Sequence, residues 1–282
     1  MRVLTLHSPA KLNLFLRICG KRQDGYHALA SLFQTIDLCD ILHFQLAERD
    51  VLTCTDVSLP TDHNNLILKA VALFRAKTAW QGGLAVHLEK KIPHQAGLGG
   101  GSGNAATALW ALNALCRTHI PLQQLMLWGA EIGSDVPSFL SRGTAYCTGR
   151  GEQVHDLPPL QPQRAWIVKP AFGLPTAQVY KQLNISSLPP RDPLKALDAF
   201  SHGGGDFFND LEEAAMQVNP QAAALKQKLC TLGFDTVLMC GSGSSFFCIG
   251  GMEAAFASLN DVQIFPTAFI NRTENRWYCE SN

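Results

Sequence analysis

Pro93-His94-Gln95-Ala96-Gly97-Leu98-Gly99-Gly100-Gly101-Ser102-Gly103-Asn104-Ala105-Ala106 is the stretch on which the reading of this chain turns. Before it, the alternation of Leu84, Val86 and Leu88 marks a strand. After it, Leu109, Leu112, Leu115 and Cys116 share one helical face. Five of the seven residues at 97–103 are glycine. Glycine lets backbone come close to a ligand, and the first N–H groups of a helix have no partner inside it. Those donors and the positive end of the helix dipole favour phosphate. The alternative is a flexible surface connection, for which so dense a glycine run is costly in chain entropy.

Familiar phosphate loops fit poorly. A Walker loop needs Gly-Lys-Ser/Thr, and Ser102-Gly103-Asn104 stands here. A dinucleotide fingerprint read from Gly97 or Gly99 finds Ser102 or Asn104 where its third glycine belongs. Read from Gly101 it passes only in its alanine form, at Ala106, and leaves the preceding run unexplained. The nucleophile-elbow spacing fails at Ser102, because Asn104 replaces a glycine.

Composition bounds the rest. The 282 residues carry 23 basic and 23 acidic side chains, a net charge of zero that does not suit a nucleic-acid surface. No apolar run is long enough to span a bilayer, and the opening residues lack the apolar core and cleavage site of a signal peptide. A cytosolic protein is expected. The nine cysteines, Cys279 among them, are odd in number and form no Cys-x-x-Cys pair, so they read as reduced, small hydrophobes. The nine histidines show no metal-ligand spacing.

Along the chain, residues 3–18 read as extended, with Phe15 breaking the alternation of Leu12, Leu14, Leu16 and Ile18. A period of two puts Lys11 and Asn13 on one face, either toward solvent or toward a ligand. Residues 33–46 read as strand, turn, strand. Tyr26 and His27 follow a glycine-ended turn and suit either packing or a base. Asn65 is a plausible cap for a helix to about residue 77. Leu122–Ile132 reads as a helix stopped by Gly133. Asp135, before Val136-Pro137, also has the form of a helix N-cap. Residues 157–163 are rich in proline and polar groups and mark a domain junction. Thr176 and Tyr180 lie one helical turn apart. Asn209-Asp210-Leu211-Glu212 opens a helix, residues 221–232 form another, and 237–240 with 245–249 form strands around Cys240-Gly241-Ser242-Gly243-Ser244. A helix at 252–259 and a strand at 262–269 follow. Strands in clusters with helices between them argue for α+β.

The glycine stretch resembles the Pro-x-x-x-Gly-Leu-Gly-Gly-Gly-Ser-x-Asn-Ala-Ala loop of the galactose, homoserine, mevalonate and phosphomevalonate kinase superfamily. Pro9-Ala10-Lys11-Leu12-Asn13-Leu14, Asp24-Gly25-Tyr26-His27, Gly133-Ser134-Asp135-Val136-Pro137 and the second glycine turn match in family order. Together they span nearly the whole chain. Within the superfamily the chain most resembles the family that phosphorylates 4-diphosphocytidyl-2-C-methyl-D-erythritol in non-mevalonate isoprenoid synthesis.

The resemblance implies two domains: residues 1–157, ribosomal-protein-like and ATP-binding, and residues 164–282, ferredoxin-like. It implies ATP and Mg²⁺, with Asp135 as catalytic base, Lys11 beside it and Asn13 orienting the acceptor. The cytidine diphosphate-linked substrate would lie against Tyr26, His27, Thr176 and Tyr180, the last replacing the usual phenylalanine. ATP would meet Asn65, Pro93, Gly97, Leu98, Gly99, Gly100, Gly101, Ser102, Gly103 and Asn104. Gly103 departs from relatives that carry a second serine, which questions how Mg²⁺ is held. A monomer or weak homodimer is expected, with no nucleic-acid or membrane partner. A kinase for homoserine, mevalonate or a sugar offers no base to these aromatics. A sensor that keeps the fold without turnover would not require Lys11 and Asp135.

Overall fold

The computed structural model describes residues 3–251 and 253–278. Met1, Arg2, Met252 and Cys279, each part of a reading above, lie outside the described residues. In chain order the elements are β1 (Leu4–Lys21), β2 (His27–Ala47), β3 (Val51–Cys54), α1 (Leu66–Lys77), β4 (Gly83–Glu89), α2 (Gly100–Leu115) and α3 (Leu122–Ile132). Then come α4 (Val136–Phe139), β5 (Thr144–Thr148), β6 (Gln153–Asp156), β7 (Arg164–Pro170), α5 (Thr176–Gln182), α6 (Pro193–Ser201) and β8 (Phe208–Asn209). The order closes with α7 (Glu212–Val218), α8 (Pro220–Cys230), β9 (Thr236–Met239), β10 (Phe246–Ile249) and β11 (Val262–Ala268).

Among the described residues these strands form two sheets. The seven-stranded sheet runs β3-β4-β2-β1-β8, with β5 paired to β2 and β6 to β5; the four-stranded sheet runs β11-β7-β10-β9. Apart from β8, which pairs with β1 at Phe15 and Leu16, the first sheet comes from residues before 157 and the second from residues after 164. Leu42, Phe44, Val86 and Leu88 pack with apolar side chains of α1, α2 and α3 in one core. Leu12, Leu14 and Phe15 of β1 meet Ile167 and Phe247 of the second sheet in another. A third core lies beneath α5, α7 and α8. Among the described residues no helix is long and apolar enough to cross a membrane.

Irregularities in β1 and β2 explain two departures from the sequence reading. Asn13 pairs with Phe33 and Phe15 with Leu32, so Leu14 is an extra residue on β1. That bulge is why Phe15 breaks the alternation yet is fully buried. The register also slips between Pro9/Cys39 and Ala10/Ile36, leaving Asp37 and Leu38 as extra residues on β2. What reads as a turn is this bulge in one continuous strand. The Asp37 carboxylate accepts from Thr267 Oγ1 at 2.6 Å and Ala268 N at 2.9 Å, so it joins β2 to β11.

Two helical segments also differ. α6, absent from the sequence reading, begins where the Asp192 side chain accepts from Leu194 N and Lys195 N, with Pro193 in its first turn. The helix expected at 252–259 is a 3₁₀ segment, Glu253–Ser258.

Candidate active site

α2 begins without a side-chain cap, because its N-cap is Gly99, held at φ +71°. Gly100, Gly101 and Ser102 are therefore the first helical residues, and their N–H groups have no intrahelical acceptor. The Gly103 N–H already donates to Gly99 O at 2.9 Å. Gly97 has φ +74°, and a Cβ there would lie 1.9 Å from Cys240 O. The loop can thus pass beneath the second glycine turn only as glycine. A Cβ on Gly99 would lie 3.2 Å from Lys11 Cε, and one on Gly241 would lie 3.4 Å from both Lys11 Nζ and Asn13 Oδ1. Both glycine turns close on Lys11.

Lys11 is 4 % exposed. A buried ammonium needs partners, and it has three. Nζ donates to Asn13 Oδ1 at 2.7 Å, lies 3.5 Å from Asp135 Oδ2 and sits 4.8 Å from the centre of the Phe33 ring. Its backbone N–H donates to Leu98 O at 3.0 Å. Asn13 Nδ2 donates to Ser31 Oγ at 2.8 Å, and Ser31 Oγ donates to Phe15 O at 2.5 Å. That chain fixes which way the Asn13 amide points and leaves its second N–H available. Asp135 does precede α4, but its side chain makes no cap bond and turns to Lys11 instead. The Asp135 side chain is 34 % exposed, so the ion pair is screened and adds little to stability. Exposure of this carboxylate to the cavity is what a proton acceptor needs.

Lys11, Asn13 and Asp135 line a cavity of about 820 Å³ that also takes in Gly97 and Gly99. Tyr26, His27, Thr176 and Tyr180 line the same cavity. The His27 and Tyr180 rings are 5.1 Å apart. Tyr26 is 57 % exposed, with the Arg150 guanidinium 4.9 Å from its ring centre. Thr176 Oγ1 and Ser242 Oγ are 2.8 Å apart and tie α5 to the second glycine turn. Burial, and then the charge of Lys21, hold His27 below the ordinary histidine value. Burial, with the Asp135 charge second, pushes the Tyr180 phenol up to about 12, so it remains a neutral donor.

Other residues expected around ATP have structural partners as well. Asn65 caps α1: Oδ1 accepts from Ile67 N at 3.0 Å and Nδ2 donates to Pro60 O at 2.7 Å, so both ends of its amide are engaged. The Leu98 side chain is buried in the core. Asn104 is buried and donates to Asp40 Oδ2 at 3.0 Å. The same Asp40 carboxylate accepts from Lys90 Nζ and from the backbone of Lys91 and Ile92, bracing the approach to the loop. Pro93 lines a second cleft of about 650 Å³, with Lys90, His94, Lys169 and Asp261. Gly103 faces β1: a Cβ would meet Pro9 O at 2.8 Å and Ser8 Oγ at 3.0 Å. The missing serine is therefore a matter of packing against β1.

The sequence reading did not single out Ser31, Phe33, Lys21, Arg150, Lys181 or Ser242, all of which support or line the site. Two of them carried a signal: Ser242 stands in the second glycine turn, and Arg150, in Gly149-Arg150-Gly151-Glu152, is a cation in a tight glycine turn.

A helix terminus open to anions, facing a lysine–carboxylate pair, is the arrangement of a small-molecule phosphotransferase. The GHMP kinases N terminal domain model matches residues 65–143, which include the glycine loop and Asp135. A protein of Protochlamydia amoebophila named 4-diphosphocytidyl-2-C-methyl-D-erythritol kinase is 53 % identical over 98 % of this chain and 93 % of its own. The chloroplastic protein of that name from Mentha piperita is 44 % identical over 98 % of this chain and 72 % of its own. A crystal structure of 4-(cytidine 5'-diphospho)-2C-methyl-D-erythritol kinase superposes with a TM-score of 0.79 at 32 % identity, covering 95 % of this chain and all of that one. Fold and site define a GHMP kinase. The chain belongs to the 4-diphosphocytidyl-2-C-methyl-D-erythritol kinase family.

Proposed function

We propose that this kinase transfers the γ-phosphoryl group of ATP to the 2-hydroxyl of 4-diphosphocytidyl-2-C-methyl-D-erythritol, the acceptor named for its relatives. The observation that carries this reading is the Lys11–Asp135 pair, at 3.5 Å, beside the open N-terminus of α2 in a cavity that Tyr26, His27 and Tyr180 also line.

Phosphoryl transfer asks for position and charge more than for covalent chemistry. The N–H groups of Gly100, Gly101 and Ser102 bind phosphate oxygens, supported by the helix dipole. Asp135 accepts the proton of the attacking hydroxyl. Lys11 keeps Asp135 company as a cation and offsets the charge that gathers on the transferring group. The second Asn13 N–H orients the acceptor. Tyr26 and Tyr180 supply faces for cytosine, and His27 a directed hydrogen bond to its edge. Lys21, Arg150 and Lys181 line the cavity and offset the diphosphate charge.

No cluster of three metal-ligating side chains occurs among the described residues. Mg²⁺ carried by the substrate phosphates would fit such a site, and Asp135, which lines the cavity, would be the carboxylate to hold it. Bound that way, the ion neutralises phosphate oxygens. We assign residues 1–157 to the ATP-binding domain and 164–282 to the second. The reading is of a cytosolic monomer or weak homodimer that acts on a free small molecule.

The test is phosphate transfer from ATP with Mg²⁺ to the cytidine compound, mevalonate, homoserine and galactose in parallel. Selective turnover of the cytidine compound is expected. Turnover of another acceptor overturns the base pocket, and nucleotide binding without any turnover overturns the catalytic reading.

A further inference from the structure

Residues 269–278 follow the last strand of the second sheet, yet they return to the first lobe. Phe269 bridges Ile36, and Ile270 N donates to Thr35 O at 3.0 Å. Arg272 N donates to Arg142 O at 2.9 Å. The Arg272 side chain is then buried, with the residue 6 % exposed, and among the described residues no carboxylate pairs with it. Its guanidinium serves carbonyls instead. Nε donates to Ser141 O at 2.8 Å and Nη2 to Leu140 O, while Nη1 reaches Glu274 O at 3.1 Å and Arg276 O at 3.2 Å. The rings of Trp110, Trp277 and Tyr278 surround it, with the guanidinium 4.9 Å from the Trp110 ring centre.

Burying a guanidinium is costly unless its donors are used and a particular geometry is gained. What is held here is specific. Leu140 and Ser141 are the exit of α4, a single turn whose entry is Asp135. Tyr278 Oη adds a second bond to Ser141 O at 3.1 Å. Trp277 Nε1 donates to His7 O at 2.8 Å, on β1, four residues before Lys11. The Trp277 ring lies 5.0 Å from Trp110 of α2, the helix whose first turn faces the cavity. One short segment thus contacts the three elements that deliver Asp135, Lys11 and the glycine loop.

We propose that residues 270–278 are a positioning strap for the kinase site, with Arg272 as its principal positioning residue, setting the distance between Asp135 and Lys11 from behind. This rests on the catalytic roles proposed above. α4 is a single turn with Val136 and Phe139 in the core, and the Arg272 bonds to its exit carbonyls add to what sets its position and so that of Asp135. Misplacement of a reacting group by about 1 Å costs on the order of 100-fold in rate.

The experiment compares wild type with Arg272→Ala, Arg272→Lys, Trp277→Phe and Tyr278→Phe in steady-state phosphorylation, with circular dichroism to establish the folded fraction. Leu229→Ala, in the core beneath α8 and away from the cavity, is the control for general destabilisation. Arg272→Ala should lower kcat roughly 10- to 100-fold while both KM values stay within about twofold. Arg272→Lys should recover part of the loss, each phenylalanine variant should lose a few-fold, and Leu229→Ala should keep kcat per folded molecule. Unchanged kcat in folded Arg272→Ala, a rise in KM alone, or an equal loss in Leu229→Ala overturns the strap. Should Arg272→Ala fail to fold, the two phenylalanine variants decide by the same criteria. Absence of turnover in wild type would instead overturn the catalytic reading.

Discussion

Two groups of side chains line the cavity, a fixed end and an open end in the sense of how tightly each is held: Lys11 is 4 % exposed and held by an amide, a carboxylate and a ring, whereas Tyr26 is 57 % exposed and one guanidinium lies over it. The first group comes from β1, the tip of α2 and the entry of α4, with the second glycine turn closing on Lys11. The second comes from the turn before β2 and from α5, which lie on opposite sides of the 157–163 junction. Chemistry needs reacting groups fixed to fractions of an ångström. Recognition of a flat base needs faces and a directed bond, and tolerates adjustment. The two ends should accordingly fail in different kinetic parameters.

The largest expected effect is at the fixed end. Asp135→Asn should lower kcat by about 10³-fold with both KM values close to wild type; near-normal turnover would remove Asp135 from the mechanism. Tyr180→Ala should act the other way, raising KM for the cytidine substrate about 30-fold through lost stacking, with KM for ATP and kcat little changed. An equal rise in both KM values would show that the two ends are not separate. Gly103→Ser introduces the hydroxyl that the family resemblance leads one to expect and should destabilise the fold by about 1–2 kcal/mol in urea unfolding, because its Cβ meets Pro9 O at 2.8 Å. Increased activity in that variant would return position 103 to the phosphate site.

The smallest effect is in pH dependence. His27 titrates below its ordinary value of 6.5, first through burial and then through Lys21. Its neutral form serves the base, so kcat/KM for the cytidine substrate should fall as pH drops through that lowered value. Lys21→Ala removes the second cause, so the fall should move up toward 6.5. The same depression has a stability consequence. Below 6.5 the unfolded chain takes up the proton first, so this histidine's contribution to stability declines as pH falls. A limb unmoved by Lys21→Ala would take His27 out of base recognition.

The fixed end was largely legible in the sequence because its geometry follows from backbone rules. A period of two puts Lys11 beside Asn13, and a glycine run before a helix leaves N–H groups open. Spacing alone left Asp135 divided between cap and cleft, and only the distance to Lys11 decides it. The bulge at Leu14 and the slip at Asp37–Leu38 were not legible, since register depends on the partner strand. Asn65, Leu98 and Asn104, expected around ATP, also serve the fold. Their side chains cap α1, fill the core and brace Asp40, constant structural tasks that a motif records in the same letters as ligand contacts. Ser31 and Arg150 went unnoticed because each acts across strands or turns distant in sequence.

Division of labour between the two ends is tested most directly by binding of cytidine diphosphate alone, without ATP or the methylerythritol group, followed by titration calorimetry. Wild type and Asp135→Asn should bind it with the same affinity, while Tyr180→Ala binds it about 30-fold more weakly. Loss of binding in Asp135→Asn, or unchanged binding in Tyr180→Ala, would contradict the assignment of chemistry to one end and recognition to the other.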